Sequence, residues 1–183
     1  MVIDKTYSVR WYGPFKTPDE VKAFEDNNKD LRFQLYVLNG YKPHAKIYNH
    51  YYCGQTQRSV YKRLTDENHH INEFREILAI WIGSISNVEP AHKDINVVEK
   101  ILTAQLRFSY GERFLLNQTN TKFPTYNAYV LNIWHSTKGL RISTYQKSSL
   151  PSELPDVIGH EYDKELDAHM LFDASKITWR DIE

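Results

Sequence analysis

The chain has one cysteine, Cys53, among its 183 residues, so no disulfide can close within it. Nothing near Met1 has the apolar centre of a signal peptide, and together with the lone thiol this sets the expectation of a reducing, cytoplasmic setting. Long apolar runs are also lacking. The longest, Ile77 to Ile85, is far too short to cross a bilayer, so no helical membrane span is expected. No spacing of Cys and His suggests zinc, and there is no internal repeat or low-complexity tract. Net charge is absent too: 23 Lys and Arg balance 23 Asp and Glu. A zero sum argues against a nucleic-acid protein only if the charges are evenly spread.

They are not. Between residues 31 and 65 there is no Asp or Glu at all, while Arg32, Lys42, Lys46, Arg58, Lys62 and Arg63 are present. Net charge alternates by block: −1 over residues 1–30, +6 over 31–65, −5 over 66–99, +6 over 100–150 and −6 over 151–183. A fold that brings the two basic blocks together would present a positive face to a polyanion. Lys42, His44 and Lys46 lie in a loop beside a strand end, a place where a phosphate backbone can be gripped. With Arg58 and Lys62 they are the candidate nucleic-acid contacts.

The length suits one domain. Thr17-Pro18-Asp19-Glu20 is a capping box with Pro at the first helical position, predicting a helix from Pro18 to about Asn27. Before it, Trp11 to Phe15 reads as the end of a short strand or an aromatic plug, closed by Gly13-Pro14. Phe33, Leu35 and Val37 alternate as one face of a strand ending at Asn39-Gly40, with Ile47 to Cys53 as its partner. Ser59 caps a helix whose Val60 and Leu64 point inward. Ile77 to Ile85 suits a central strand covered on both faces. Asp94 is the expected cap of a helix with the stripe Val97, Val98, Ile101, Leu102 and Leu106, stopping at Gly111. Ala128–His135 and Leu140–Tyr145 read as a hairpin, and the acidic remainder as an irregular tail. Three segments follow: an extension over 1–30, a core over 31–122 and an appendage over 123–183.

The order of certain polar residues within this frame is specific. Leu35-Tyr36-Val37 is followed by Tyr52-Cys53-Gly54-Gln55-Thr56, Ser59, Arg63-Leu64, the pair His69-His70, a third strand, a helix bearing Glu99, and Leu116-Asn117. That series, over residues 33 to 120, resembles the GIY-YIG nuclease family. The resemblance implies an α+β fold with a small three-stranded antiparallel sheet flanked by helices, here with an N-terminal helix and a C-terminal hairpin and tail. It also implies catalytic roles for Tyr36, Tyr52, Arg63 and Asn117, a metal ligand in Glu99, and a histidine contribution from His69 or His70. Gly-Ile of the first signature is Gln34-Leu35 here, and Ile of the second is Cys53. The place one helical turn after the arginine, often histidine in the family, is Glu67.

These residue types suit phosphodiester hydrolysis. Glu99 offers hard oxygen donors for Mg²⁺ or Mn²⁺, and Arg63 can neutralise a scissile phosphate. Tyr36 or Tyr52, with a nearby histidine, would orient or deprotonate a water. A free phenol titrates at about 10, so the arginine and the metal would have to lower it. The expectation is a divalent-metal-dependent endonuclease acting on DNA, with RNA not excluded. Its rivals are a non-catalytic nucleic-acid-binding module, and a protein-interaction domain whose acidic tail engages a basic partner.

Overall fold

The computed structural model describes residues 5–44, 49–87, 89–117, 123–142 and 154–174. Seven strands form one mixed sheet: β1 (Lys5–Phe15), β2 (Leu35–Tyr41), β3 (His50–Gln55), β4 (Glu76–Ile85), β5 (Ala128–His135), β6 (Val157–Asp163) and β7 (Ala168–Asp173). Their spatial order is β3-β2-β4-β1-β5-β6-β7, and the sheet curls into a half-barrel. Every pairing is antiparallel except β1 with β5, which is parallel. The helices are α1 (Pro18–Asn27), α2 (Val60–Leu64) and α3 (His92–Tyr110). No helix among the described residues is long and apolar enough to cross a membrane.

This architecture overturns the expectation of a small three-stranded sheet flanked by helices. The strands β3, β2 and β4 are adjacent at one end of the sheet, but four more extend it. The largest change comes from the N-terminal segment, where Trp11–Phe15 is the end of a strand as expected, but of a long one inside the sheet rather than a short one. There Tyr7, Val9 and Trp11 continue the alternation, and a shift of register between Tyr12 and Phe15 absorbs Gly13-Pro14, so β1 runs unbroken between β4 and β5. Within the acidic end, the described residues 154–174 hold two regular strands rather than an irregular tail. β6 and β7 form a hairpin whose turn is held by Asp163, its carboxylate accepting the Glu165 and Leu166 backbone N–H groups. Polar residues such as His160, wholly buried in β6, hide the strand pattern. The expected pairing of Ala128–His135 with Leu140–Tyr145 is reduced to a bridge from His135 to Arg141 and the Ile142 bond to Trp134; residues 143–145 lie outside the described set. β2 likewise passes through Asn39-Gly40, where its register with β4 shifts, and ends at Tyr41.

Each face of the sheet has its own core. On one, α3 lays Ile95, Val98, Ile101, Leu102 and Leu106 against Val9, Trp11, Val37, Cys53 and Trp81. Burying each aliphatic side chain there contributes roughly 1.5–3 kcal/mol. Trp11 and Trp81 both contact Trp134, and the Trp11 indole N–H donates to Asn132 at 2.8 Å, which satisfies the one polar atom of the ring. On the other face, α1 and α2 cover Tyr12, Phe15, Phe33, Tyr36, Leu38, Tyr52, Ile80 and Ile82 through Val21, Val60 and Leu64.

Asp94 does not cap α3. The cap is Ala91, and Asp94 stands in the first turn, accepting from the Ala91 N–H at 3.2 Å. It also accepts from the Lys5 ammonium and the Tyr7 hydroxyl, each at 2.9 Å, and so ties α3 to β1. Burial pushes the Asp94 pKa up, but these hydrogen bonds outweigh it and hold the carboxyl below its ordinary range. Its contribution is therefore complete above that range and is lost as pH falls through the folded-state pKa. Asp94→Asn should lower the urea midpoint at neutral pH by an amount on the order of 1 kcal/mol. Titrating both proteins toward acid should close the gap; a gap that stays constant with pH would remove the charge from the account.

Candidate active site

The site begins with strand register. Tyr36 on β2 pairs with Gly54 on β3, and Tyr52 follows on the same face of β3. The Tyr36 ring is wholly buried and lies directly on the Gly54 backbone, where a Cβ would collide with the ring and its hydroxyl. Tyr52 packs beside it, ring centroids 6.0 Å apart.

Arg63 is aimed by α2. The Ser59 hydroxyl caps this short helix by accepting the Lys62 N–H at 3.2 Å. Glu25 of α1 accepts the N–H groups of Val60 at 2.7 Å and Tyr61 at 3.0 Å, while Val60 and Leu64 anchor the helix in the core. The Arg63 guanidinium bonds the Asp66 carboxylate at 2.9 Å, and Arg58 bonds the same oxygen. The Arg63 charge also acts on Tyr36, Tyr52 and His69.

His69 is buried, with Nε2 2.9 Å from the Tyr36 hydroxyl oxygen. Burial, then the Arg63 and His70 charges, push its pKa down to about 4, so the ring is neutral at pH 7. Its Nδ1 accepts the Ile71 N–H at 3.0 Å, so the one ring proton sits on Nε2 and is donated to Tyr36. The Tyr36 hydroxyl proton is thereby turned away from His69, and Tyr52 is the neighbouring phenol. Burial raises the pKa of both tyrosines and Arg63 opposes it. His70 packs on Tyr52, ring centroids 4.6 Å apart, and pairs with Glu73.

Glu99 comes from the opposite layer, on α3, and beside the outer strand β3 its charge acts on Tyr52. Burial pushes its pKa up to about 7; a hydrogen bond from Gln55 and the charges of Lys100 and Arg63 work against that rise. Gln55 also donates to Asn96, and its own carbonyl oxygen is buried with no hydrogen-bond partner. Among the described residues no three His, Cys, Asp or Glu converge as a metal-binding group. The hard oxygens on offer are the Glu99 carboxylate and the orphaned Gln55 amide oxygen, a pair that fits Mg²⁺ or Mn²⁺ retaining several waters.

Tyr36, Tyr52, Arg63, His69, His70 and Glu99 are thus in one neighbourhood. Asn117 is nearby but engaged: its side chain accepts the Cys53 N–H at 2.9 Å and donates to the Cys53 carbonyl at 2.6 Å. Of the candidate phosphate contacts, Lys42 is paired with Glu73 at 3.2 Å, His44 is exposed with φ 67°, Arg58 is on Asp66 and Lys62 is exposed. Lys46 lies outside the described residues. Gly54, Gln55 and Asp66 were not singled out from the sequence as site residues. A glycine inside a strand was the available signal for the first, since it marks close approach of another group; nothing local signals the other two. No protein-family profile, curated protein or solved structure matches this chain.

Two outcomes follow from this geometry. Gly54→Ala should cost about 1–3 kcal/mol, the range for overpacking a core, and should disturb the near-ultraviolet tyrosine dichroism; an unchanged urea midpoint would mean that the Tyr36 ring is not seated on Gly54. Glu99 has its folded pKa raised from 4.5 to about 7, so the native state retains a proton the unfolded chain has released. Wild-type stability should therefore fall as pH rises through that window and stay lower above it. Glu99→Gln should flatten this part of the profile and be the more stable protein above pH 7. Parallel profiles for the two would place the carboxyl in water.

Proposed function

We propose that this protein is a divalent-metal-dependent endonuclease that hydrolyses DNA phosphodiester bonds, using a residue set like that of the GIY-YIG nucleases on a larger sheet. The observation that carries the reading is Arg63, whose charge acts on Tyr36, Tyr52 and Glu99. A guanidinium among phenols and a carboxylate, at the edge of a sheet, is suited to a scissile phosphate. Its bond to Asp66 keeps it extended, in the place a phosphate would take.

The direction of the hydrogen bonds distinguishes the two tyrosines. His69 donates to the Tyr36 oxygen and so occupies it, whereas the Tyr52 oxygen lies on the neighbouring ring and is not the one held by His69. A Tyr52 phenolate has a counter-charge in Arg63, which makes Tyr52 the better acceptor for the proton of an attacking water. His69 is then a positioning residue. Tyr52 would first have to give up its own proton to solvent; as water then attacks phosphorus and passes a proton to the Tyr52 phenolate, the bond to the leaving oxygen breaks and that oxygen takes a proton from solvent. Glu99 and the Gln55 carbonyl oxygen would hold the metal, which when bound supplies charge neutralisation at the phosphoryl oxygens. The buried, single Cys53 suits the reducing cytoplasm in which such an enzyme would meet DNA.

Cleavage of supercoiled plasmid in Mg²⁺ or Mn²⁺, against a chelator control, tests this. Arg63→Ala should fall by about two or more powers of ten, as expected when one electrostatic interaction with the transition state is removed. Glu99→Gln should fold, bind DNA and fail to cut. Wild-type rates in either variant would sink the assignment through that residue. DNA binding without cleavage by the wild type would instead favour a binding module, a reading supported by the burial that holds both phenols protonated.

A further inference from the structure

Beside the site, on the other side of α2, a groove of about 520 Å³ runs between α1 and α2. Five cationic side chains line it, Lys22, Lys29, Arg32, Arg58 and Lys62, against two acidic ones, Glu25 and Asp26. Both acids are already engaged. Glu25 directs its two oxygens to the Val60 and Tyr61 backbone N–H groups, and Asp26 pairs with Lys22 at 2.6 Å. Arg58 is held by Asp66. That leaves Lys29, Arg32 and Lys62, all exposed and without an ion-pair partner among the described residues. Three unneutralised cations around one concavity is an arrangement that repels itself in the free protein and is relieved by an extended polyanion.

The groove is joined to the site by the helix itself. Lys62 is the residue before Arg63, and Arg58 and Arg63 meet on the same Asp66 oxygen. We infer that the groove binds the phosphate backbone of the DNA strand flanking the cleavage position, with Lys29, Arg32 and Lys62 as its phosphate contacts. This rests on the endonuclease reading for the identity of the strand, though not for the existence of the site. It gives the connection that follows the N-terminal helix, outside the series that resembles the GIY-YIG family, a part in substrate binding. Lys29 follows α1 and Arg32 precedes β2, so these two cations come from the connection between them and Lys62 from α2. Backbone contacts of this kind set the register of the strand on the protein and carry no base preference.

The test is binding of a short labelled duplex by fluorescence anisotropy, in chelator so that nothing is cut, across a series of KCl concentrations. The variant is Lys29→Ala/Arg32→Ala/Lys62→Ala, which removes no ion pair and should leave the melting temperature unchanged. Each phosphate no longer neutralised should lower the slope of log affinity against log salt by about 0.9, so the triple variant should fall by roughly two to three in slope and about ten-fold or more in affinity at low salt. Lys138→Ala, a charge removed from the distant turn after β5, should behave as wild type. A wild-type slope in the triple variant overturns the groove, as does an equal fall in Lys138→Ala. Plasmid cleavage is scored separately: wild-type cutting with an unaltered triple-variant slope would leave the nuclease standing without the groove. A lowered slope in the triple variant with no cutting by wild type would leave the groove standing without the nuclease.

Discussion

The seating of a tyrosine ring on bare backbone is the interaction on which the site depends. Tyr36 can lie across β3 only because Gly54 stands opposite it, and it stands opposite only in one register of β2 with β3. A slip of β2 by one residue would send Tyr36 to the α3 face and put Leu35 or Val37 in its place opposite Gly54. The alternation of apolar residues on both faces prevents such a slip, since Leu35, Val37 and Cys53 are themselves fully buried against α3. The geometry of the candidate site is thus fixed by packing on the side of the sheet away from it.

The edge position of β3 explains how residues from opposite layers share one electrostatic environment. α2 covers one face and α3 the other, and only at the outermost strand can side chains from both reach the same point. The arrangement works against stability. Glu99 is half-buried and loses hydration, the tyrosines are buried with their hydroxyls, and Arg63 is the cation that moderates all of them. Apolar packing of Val98, Ile101 and Leu102 on the same helix offsets the cost of Glu99. A group whose proton affinity lies near neutrality is suited to a cation arriving from solution, because binding then needs little work to remove the proton.

How far the sequence revealed this differs by element. Helix α1 was legible to the residue, because Thr17, Pro18 and Glu20 are local signals that act within one turn, and the stop of α3 at Gly111, φ 84°, was legible for the same reason. Strand β4 was legible from its unbroken apolar run. The sheet as a whole was not, because its extent depends on a parallel pairing between β1 and β5 that are more than a hundred residues apart, and no local pattern announces a partner. The polar run of β6 and β7 reads as irregular, since His160 and His169 stack with Phe123 and so occupy places where a strand usually shows aliphatics. In the site, the ordered Tyr, Arg and Glu positions were legible as a series, whereas the direction of the His69 bond was not: it turns on a backbone N–H from Ile71 that only the fold supplies.

The segment after α3 has a bearing on association. Leu115 bridges Tyr51 in parallel, the Leu116 N–H donates to the Tyr51 carbonyl, and Asn117 presents an amide to Cys53 as a further strand residue would. Together they occupy the outward-facing hydrogen-bonding groups of β3, so this margin offers no template for a strand from another molecule. The margin at β7 carries exposed Met170 and, in the turn before it, exposed Leu166. Addition of a strand from another molecule is therefore hindered on the margin nearer Tyr36 and Tyr52, where the Tyr51 carbonyl and both backbone groups of Cys53 already have partners.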